Sequence, residues 1–592
     1  MPLILAKFVS RLFKCGPADT DARITNWLLT GHTKERTGDL AQALALFRKV
    51  LDVAPANAEA RLRLGAVLAK SGDLDQARVN LQRAIALSPG SSEAHAVLGN
   101  VRMLQHDHAD ALANYERAIE LDPVSALARV NLGLLLKTLG RREDARRAFE
   151  TAYRIAPGVP GLLKNLTLVY IELEQYAQAH ALLDPLLDAA PDNGEALRCK
   201  GFVLQKQHCA QAALAFYERA CAVGEPDAEL LNNLGIVKQD LGRIDEAIDC
   251  YDRAIALEPG FELALWHRSL ALLLKHDFAR GWTDYDSRLI SADRQRRDRV
   301  FPRWDGANSR PRTVLAYAEQ GLGDEIMFAS CVPDLVAAAG RCIIECSPKL
   351  APLFARSFPD AIVYASAGNG CPPAGLAIDS EIPLGSLPAH FRRSRAAFPE
   401  HRGYLRADPC RRTQWRARLA ALGPGRKIGV AWHGGTQRSR MTLRSLTLGQ
   451  LDPVLATPGV HFVNLQYNDS SIELAQYEAL TGRRLTDWPE LREDYEDTAA
   501  VVAELDLVIS VCTAVIHLGG ALGQPVWVLA PHSPEWRYGI AGATMPWYPS
   551  VHIFRQPHYG AWEPVIERVA QRLGDLASSS GKPINRHGEP TE

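Results

Sequence analysis

Two short stretches set side chains that can do chemistry where an apolar run hands over to a helix. In "AEQGLGDEIMF" (318–328), Gly321 and Gly323 allow a tight strand-to-helix turn, and Asp324 falls in the first turn of the helix. A carboxylate there can take a proton from an acceptor hydroxyl. The helix dipole keeps it ionised and also makes it a weaker base. The same placement suits a carboxylate that only caps the helix. The second stretch is "VISVCTAVIHLGGALGQPVWVLAP" (508–531). Here Thr513 stands at the expected N-cap, where its hydroxyl can satisfy a free backbone N–H. The helix start suits a phosphate, and His517, one turn in, adds a proton-sensitive donor to the same anion. Gly519 and Gly520 let the helix lie close to a sheet. A plain βαβ unit with a buried histidine fits the spacing equally well. Cys512 at the break has no activating base beside it in sequence, so a thiolate nucleophile is not expected.

The elements that must position these residues alternate between strand and helix. "TVLAYAE", "RCIIECS" and "AIVYAS" read as strands before residue 366, and "KIGVAWHG", "VHFVNLQYN", "PVWVLAP" and "VHIFRQ" as strands after Arg426. Such alternation predicts parallel sheets with right-handed crossovers, and ligands beyond the carboxyl ends of the strands. "GAWEPVIERVAQRLGDLA" reads as a closing amphipathic helix.

The first half is repetitive. Pro55, Pro89, Pro123, Pro157 and Pro191 follow one another at 34 residues, as do Gly31, Gly65, Gly99 and Gly133, and Ala43, Ala77, Ala111 and Ala145. Small residues at the crossing of two helices and a proline ending each pair are the marks of a tetratricopeptide array of about eight repeats. Asn131, Asn165 and Asn233 occupy one position of the repeat. An asparagine amide donates and accepts at once, so these three are candidates to hold an extended acceptor protein; solvated or intra-repeat asparagines fit as well. The terminal repeat carries Trp282 and Tyr285, suited to docking on the domain that follows.

The expected domains are an N-terminal amphipathic segment (1–23), the repeats (24–293), a polar linker (294–310), two α/β domains (311–424 and 425–577) and a disordered tail (578–592). The 592 residues carry a net charge of −1, which argues against a general nucleic-acid role. The eleven cysteines form no CxxC pair, and Cys342 and Cys346 lack zinc-like partners, so no metal site is expected. In "MPLILAKFVSRLFKCG", Lys7, Arg11 and Lys14 interrupt the apolar residues. The segment reads as a cap on the first repeat or a helix touching a membrane surface, not a secretory signal. With no transmembrane-length apolar run, a cytoplasmic protein is expected.

From Trp304 onward the chain resembles the glycosyltransferases of the family that includes bacterial heptosyltransferases, and is similar to bacterial proteins joining tetratricopeptide repeats to such a domain. The resemblance is carried by "WDG", "EQGLGDEIMFA", "IGVAWHGG", "RSLTL", "NLQ", "DTAAVVAELDLVISVCTAVIHLGGALGQPVWVL", "EWRYG", "PWYPS" and "FRQ", in that order. It implies an α-solenoid followed by an α/β GT-B fold of two Rossmann-like domains. It implies metal-independent, inverting transfer from a nucleotide-sugar, with no further cofactor. It makes Asp324 the general base and places the donor on Thr513 and His517, with His433, Gly434, Gln466 and a basic residue, Arg440 or Arg444. One departure stands out: the family has Asp-Thr where this chain has Cys512-Thr513. Either the donor differs, Asp497 or another group substitutes, or activity is lost. Joined to the repeats, the resemblance implies a protein O-glycosyltransferase acting on Ser or Thr. Flagellin is the expected acceptor, and the sugar is of nonulosonic-acid or N-acetylglucosamine type. The alternatives are an envelope saccharide or lipid transferase and a non-catalytic repeat scaffold.

Overall fold

The computed structural model describes residues 17–290, 301–306, 312–366, 375–435 and 441–578. The N-terminal segment before Pro17, most of the linker, Arg440 and the tail after Ser578 lie outside the described residues. The chain forms two compact units, Met1–Glu225 and Pro226–Glu592.

The first unit is built of helix pairs, from Pro17–Arg36 with Leu40–Val53 to Gly194–Lys206 with Ala210–Val223. Side-chain caps start seven of these helices. Asn57, Ser91, Ser125 and Asn193 accept from the backbone N–H three residues on and begin the first helix of their pairs. Asp39, Asp73 and Asp107 do the same for the second helices. Between the two helices of a pair the chain passes through the left-handed region. Gly38, Gly72 and Gly140 hold that slot, and so do His106, Glu174 and His208, with φ of 60°, 56° and 61°. The recurrent glycines make room: a Cβ at Gly99 would lie 2.6 Å from the Tyr115 ring, and one at Gly133 2.6 Å from Phe149. Asn131 donates an amide N–H to Asn100 (2.9 Å), and Asn165 donates one to the Gly161 carbonyl (2.9 Å). Each therefore spends a donor on the solenoid itself. Asn233, half-buried, belongs to the second unit.

The second unit opens with two more helix pairs, Ala228–Asp240 with Ile244–Leu257 and Glu262–Leu274 with Phe278–Asp284. The division at Glu225/Pro226 thus falls inside the repeats, whose helices run on to Leu289. The reason is aromatic packing. Trp282 meets Trp536 edge-on at 5.5 Å, Phe278 lies 4.8 Å from Phe398, and the Trp282 indole N–H donates to the Arg392 carbonyl at 2.9 Å. The last repeats share one core with the α/β part.

That part holds two sheets. In the first, β1 (Thr313–Tyr317), β2 (Arg341–Cys346), β3 (Ala361–Ala365) and β4 (Ser380–Pro383) lie in the order β3-β2-β1-β4, all parallel. In the second, β5 (Arg426–Ala431), β6 (Val460–Asn464), β7 (Leu507–Val511), β8 (Val526–Ala530), β9 (Thr544–Met545) and β10 (Tyr548–Arg555) lie in the order β6-β5-β7-β8-β10-β9. All of its pairings are parallel except β9 with β10. Strand order reverses between β1 and β4 and between β5 and β7, so each sheet has a switch point at its carboxyl edge. The closing helix Glu563–Ser578 buries Val565, Ile566, Val569 and Leu573 on the second sheet. Among the described residues no helix is long and apolar enough to cross a membrane.

Candidate functional site

The carboxyl ends of both sheets open on one cavity of about 540 Å³, a volume in the range of small-molecule sites. β1 leads into the helix Leu322–Phe328, which carries Asp324, and β7 leads into the helix Ala514–Leu522, which carries His517. The two helices touch because residue 323 is glycine: a Cβ there would lie 3.0 Å from the His517 ring and 3.3 Å from the Ala514 Cα. Gly321 is extended (φ −77°, ψ 166°) and needs no glycine, so the close helix contact, not the turn, explains this pair. Gly519 and Gly520 act as expected: a Cβ on either would lie within 2.7 Å of Val526 or Tyr548.

Asp324 Oδ1 accepts a hydrogen bond from Arg537 Nη2 at 2.5 Å. Arg537 belongs to the turn Trp536–Tyr538 after β8. Its other terminal nitrogen donates to Glu535 Oε2 at 2.5 Å, and the second Glu535 oxygen pairs with Arg444. Carboxylates and guanidinium groups therefore alternate through four residues of the cavity wall. Burial pulls the Arg537 guanidinium down, but the charges of Asp324 and Glu535 outweigh it and hold it above the ordinary arginine value. Arg492, fixed by Asp487 at 2.8 Å, and the exposed Lys349 add positive charge to the lining.

Two buried polar atoms of lining residues have no partner among the described residues, Gln466 Nε2 and Tyr495 OH, while the Tyr538 hydroxyl is bonded to the Cys512 thiol. The Gln466 amide is oriented unambiguously, because its Oε1 accepts from the N–H groups of Trp432 (2.8 Å) and His433 (3.0 Å). Its NH₂ is thereby left without an acceptor among the described residues.

Thr513 is the N-cap residue of its helix, but it does not cap with its side chain. Ser510 donates its proton to the Val511 carbonyl (2.7 Å), so the 3.0 Å contact between the two hydroxyls uses the Thr513 proton. Ala514 and Val515, in the first turn of the helix, line the cavity, where N–H groups lack intrahelical partners. His517 also lines it, with Nδ1 bonded to the Tyr548 hydroxyl at 3.1 Å. From Tyr548 the chain of hydroxyls passes to Tyr404 (3.4 Å), which donates to the Ile326 carbonyl at 2.7 Å. Burial, with the Arg537 charge adding, pushes the His517 imidazole well below its usual value. It is a neutral group, not the proton-sensitive donor expected from sequence. Cys512 is 3 % exposed, and burial, with the Glu535 charge adding, pushes its thiol up to about 12. A thiol so held is no nucleophile.

The structure thus brings Asp324, Arg444, Gln466, Cys512, Thr513 and His517 together. It does not bring three others to the lining. Asp497 is turned away to the Trp415 indole (3.0 Å) and Arg411 (2.9 Å), so the carboxylate acting on Cys512 is Glu535 instead. His433 pairs with Glu473 at 2.8 Å, outside the lining. Gly434 serves packing, since a Cβ there would lie 2.9 Å from the Cys512 carbonyl. Arg440 lies outside the described residues. Glu535, Arg537 and Tyr538 were not singled out from sequence as site residues. The available signal was "EWRYG", charges and aromatics directly beyond a buried strand.

Tetratricopeptide repeat models match residues 36–101 and 138–199, 97–160, and 228–261. The helix pairs are tetratricopeptide repeats. The chain is 34% identical over 439 residues to Protein FlbA of Caulobacter vibrioides, a match spanning 70% of this chain and 73% of that protein. Among solved structures, a tetratricopeptide repeat protein from Parabacteroides merdae is 16% identical with a TM-score of 0.36, covering 42% of this chain and 99% of that one. YrrB, a tetratricopeptide protein described as having an unusual peptide-binding site, is 24% identical with a TM-score of 0.25, covering 32% of this chain and 98% of that one.

Proposed function

We propose, from the premise that this chain belongs to the family of Protein FlbA, that it is a metal-independent protein O-glycosyltransferase of GT-B architecture. A nucleotide-sugar of nonulosonic-acid or N-acetylglucosamine type is the donor, and a Ser or Thr of a protein recruited by the repeats is the acceptor. The observation that carries this reading is the meeting of the Asp324 carboxylate with Arg537 and Arg444 at the switch points of the two sheets. Asp324 takes the proton of the acceptor hydroxyl while the hydroxyl oxygen attacks the anomeric carbon. The bond to the phosphate oxygen breaks with inversion, and its electron pair leaves with the nucleotide. Arg444 and Arg537 stabilise the charge that builds there. Open N–H groups at the start of the His517 helix suit the same phosphate. Glu535 gives this chain a carboxylate beside position 512, where the related transferases carry an aspartate. Flagellin as acceptor rests on the resemblance to bacterial flagellin glycosyltransferases.

The test is nucleotide release. The full chain is incubated with CMP-, UDP- and GDP-sugars and an acceptor lysate, and free nucleotide is followed by chromatography. One donor class should be consumed, and Asp324→Asn should stop its acceptor-dependent consumption. No release from any donor would contradict the reading. It would favour instead a repeat scaffold with an inactive α/β part, the alternative to which the neutral Cys512 points.

A further inference from the structure

The Asp324–Arg537 pair opposes the action of Asp324 as a base. A carboxylate clasped by a guanidinium is a poor proton acceptor, because protonation must give up that attraction. Asp324 is therefore masked in the geometry described.

The two partners differ in how firmly they are held. Arg537 is 14 % exposed in its side chain, has Glu535 on its other terminal nitrogen, and lies 5.5 Å over the Trp536 ring. Glu535 is itself pinned by Arg444. Asp324 comes from the other sheet's side, on a helix of seven residues. If the pair parts, Arg537 keeps its place and Asp324 changes partner. The cavity beside them is lined as well by Arg444, Arg492 and Lys349. That set suits the oxygens of a phosphate, which offers a guanidinium more charge and more acceptor atoms than one carboxylate does.

We infer that an anionic phosphate group entering this cavity displaces Asp324 from Arg537, so that filling the anion site and freeing the Asp324 carboxylate are one event. The inference rests on reading the cavity as the donor site. It makes donor binding precede base action, and it means that Asp324 competes with the ligand for Arg537.

Competition has an unusual signature in binding alone. The probe is inorganic pyrophosphate, titrated calorimetrically into the full-length protein and into Asp324→Asn, Arg537→Gln and the double variant. Asp324→Asn should bind about tenfold more tightly, because no ion pair has to be broken, and Arg537→Gln about tenfold or more weakly. In the Arg537→Gln background, Asp324→Asn should add nothing. Arg537→Lys, which keeps the charge without the fork, serves if Arg537→Gln does not fold, and should shrink the gain from Asp324→Asn. Three results would overturn the inference: equal tightening by Asp324→Asn in both backgrounds, which is plain charge repulsion; no tightening at all; or no pyrophosphate binding by either the wild type or Asp324→Asn. Failure here with nucleotide release intact leaves the transferase reading standing. Success here without release from any nucleotide-sugar removes that reading and keeps the anion site.

Discussion

Arg537 Nη2 donates to Asp324 Oδ1 at 2.5 Å, tying the turn that follows β8 of the second sheet to the helix that follows β1 of the first. One ion pair therefore joins the candidate base to the cationic wall of the cavity.

Asp324→Asn should lower transfer by about 10²–10⁴-fold, the usual worth of a positioned general base. The variant should remain folded and still retain the acceptor protein in a pull-down, since the repeats are untouched. Turnover at the wild-type rate would remove Asp324 from the mechanism.

The thiol of Cys512, pushed up to about 12, should resist iodoacetamide at pH 8, while the exposed Cys209 and Cys410 are carboxamidomethylated. Peptide mass mapping after a short pulse on the native protein reads this directly. Preferential labelling of Cys512 would show a thiolate that the site does not hold.

The repeats were legible because their signal is periodic: a glycine, an alanine and a proline each return at 34 residues, and each answers a local packing need. The division at Glu225/Pro226 was not legible, because it depends on Trp282 meeting Trp536 and Arg392, residues far along the chain. Apolar runs announced most strands. β4, "SEIP", has no such run; it is a fully buried edge strand held by its pairing with β1. Within the site, Asp324, Thr513 and His517 could be read from strand-to-helix turns. Arg537 sits on a three-residue turn with no periodicity, and its partner Asp324 is distant in sequence. Asp497 carried the right charge, but only the fold shows it spent on Trp415 and Arg411.

Trp282→Ala should cost roughly 3–5 kcal/mol in the second unit, the range for deleting a buried aromatic. The indole is 3 % exposed and supplies both the contact with Trp536 and the bond to the Arg392 carbonyl. Urea unfolding followed by tryptophan fluorescence measures the loss. A change below about 1 kcal/mol would mean that the last repeat does not share the core of the α/β part.

Glu325 gives a pH dependence of stability. Burial, with the charges of Glu319 and Asp324 adding, lifts its carboxyl to about 7, while Ser347 N–H donates to it at 2.8 Å. The folded state therefore holds this proton more tightly than the unfolded chain. Its contribution is full below the unfolded value near 4.5 and is lost as pH rises through about 7. Glu325→Gln keeps an acceptor for Ser347 and removes the titration. It should be more stable than the wild type at pH 8, by on the order of 2 kcal/mol, and no more stable at pH 4.5. A difference that does not change with pH would contradict the buried, protonated carboxyl.

The most direct test of the account is the intact mass of flagellin from cells carrying the gene, lacking it, and carrying the Asp324→Asn form. A mass loss of sugar size in both defective strains is the predicted result, and its size identifies the class of sugar. An unchanged mass in all three strains would contradict flagellin glycosylation by this protein.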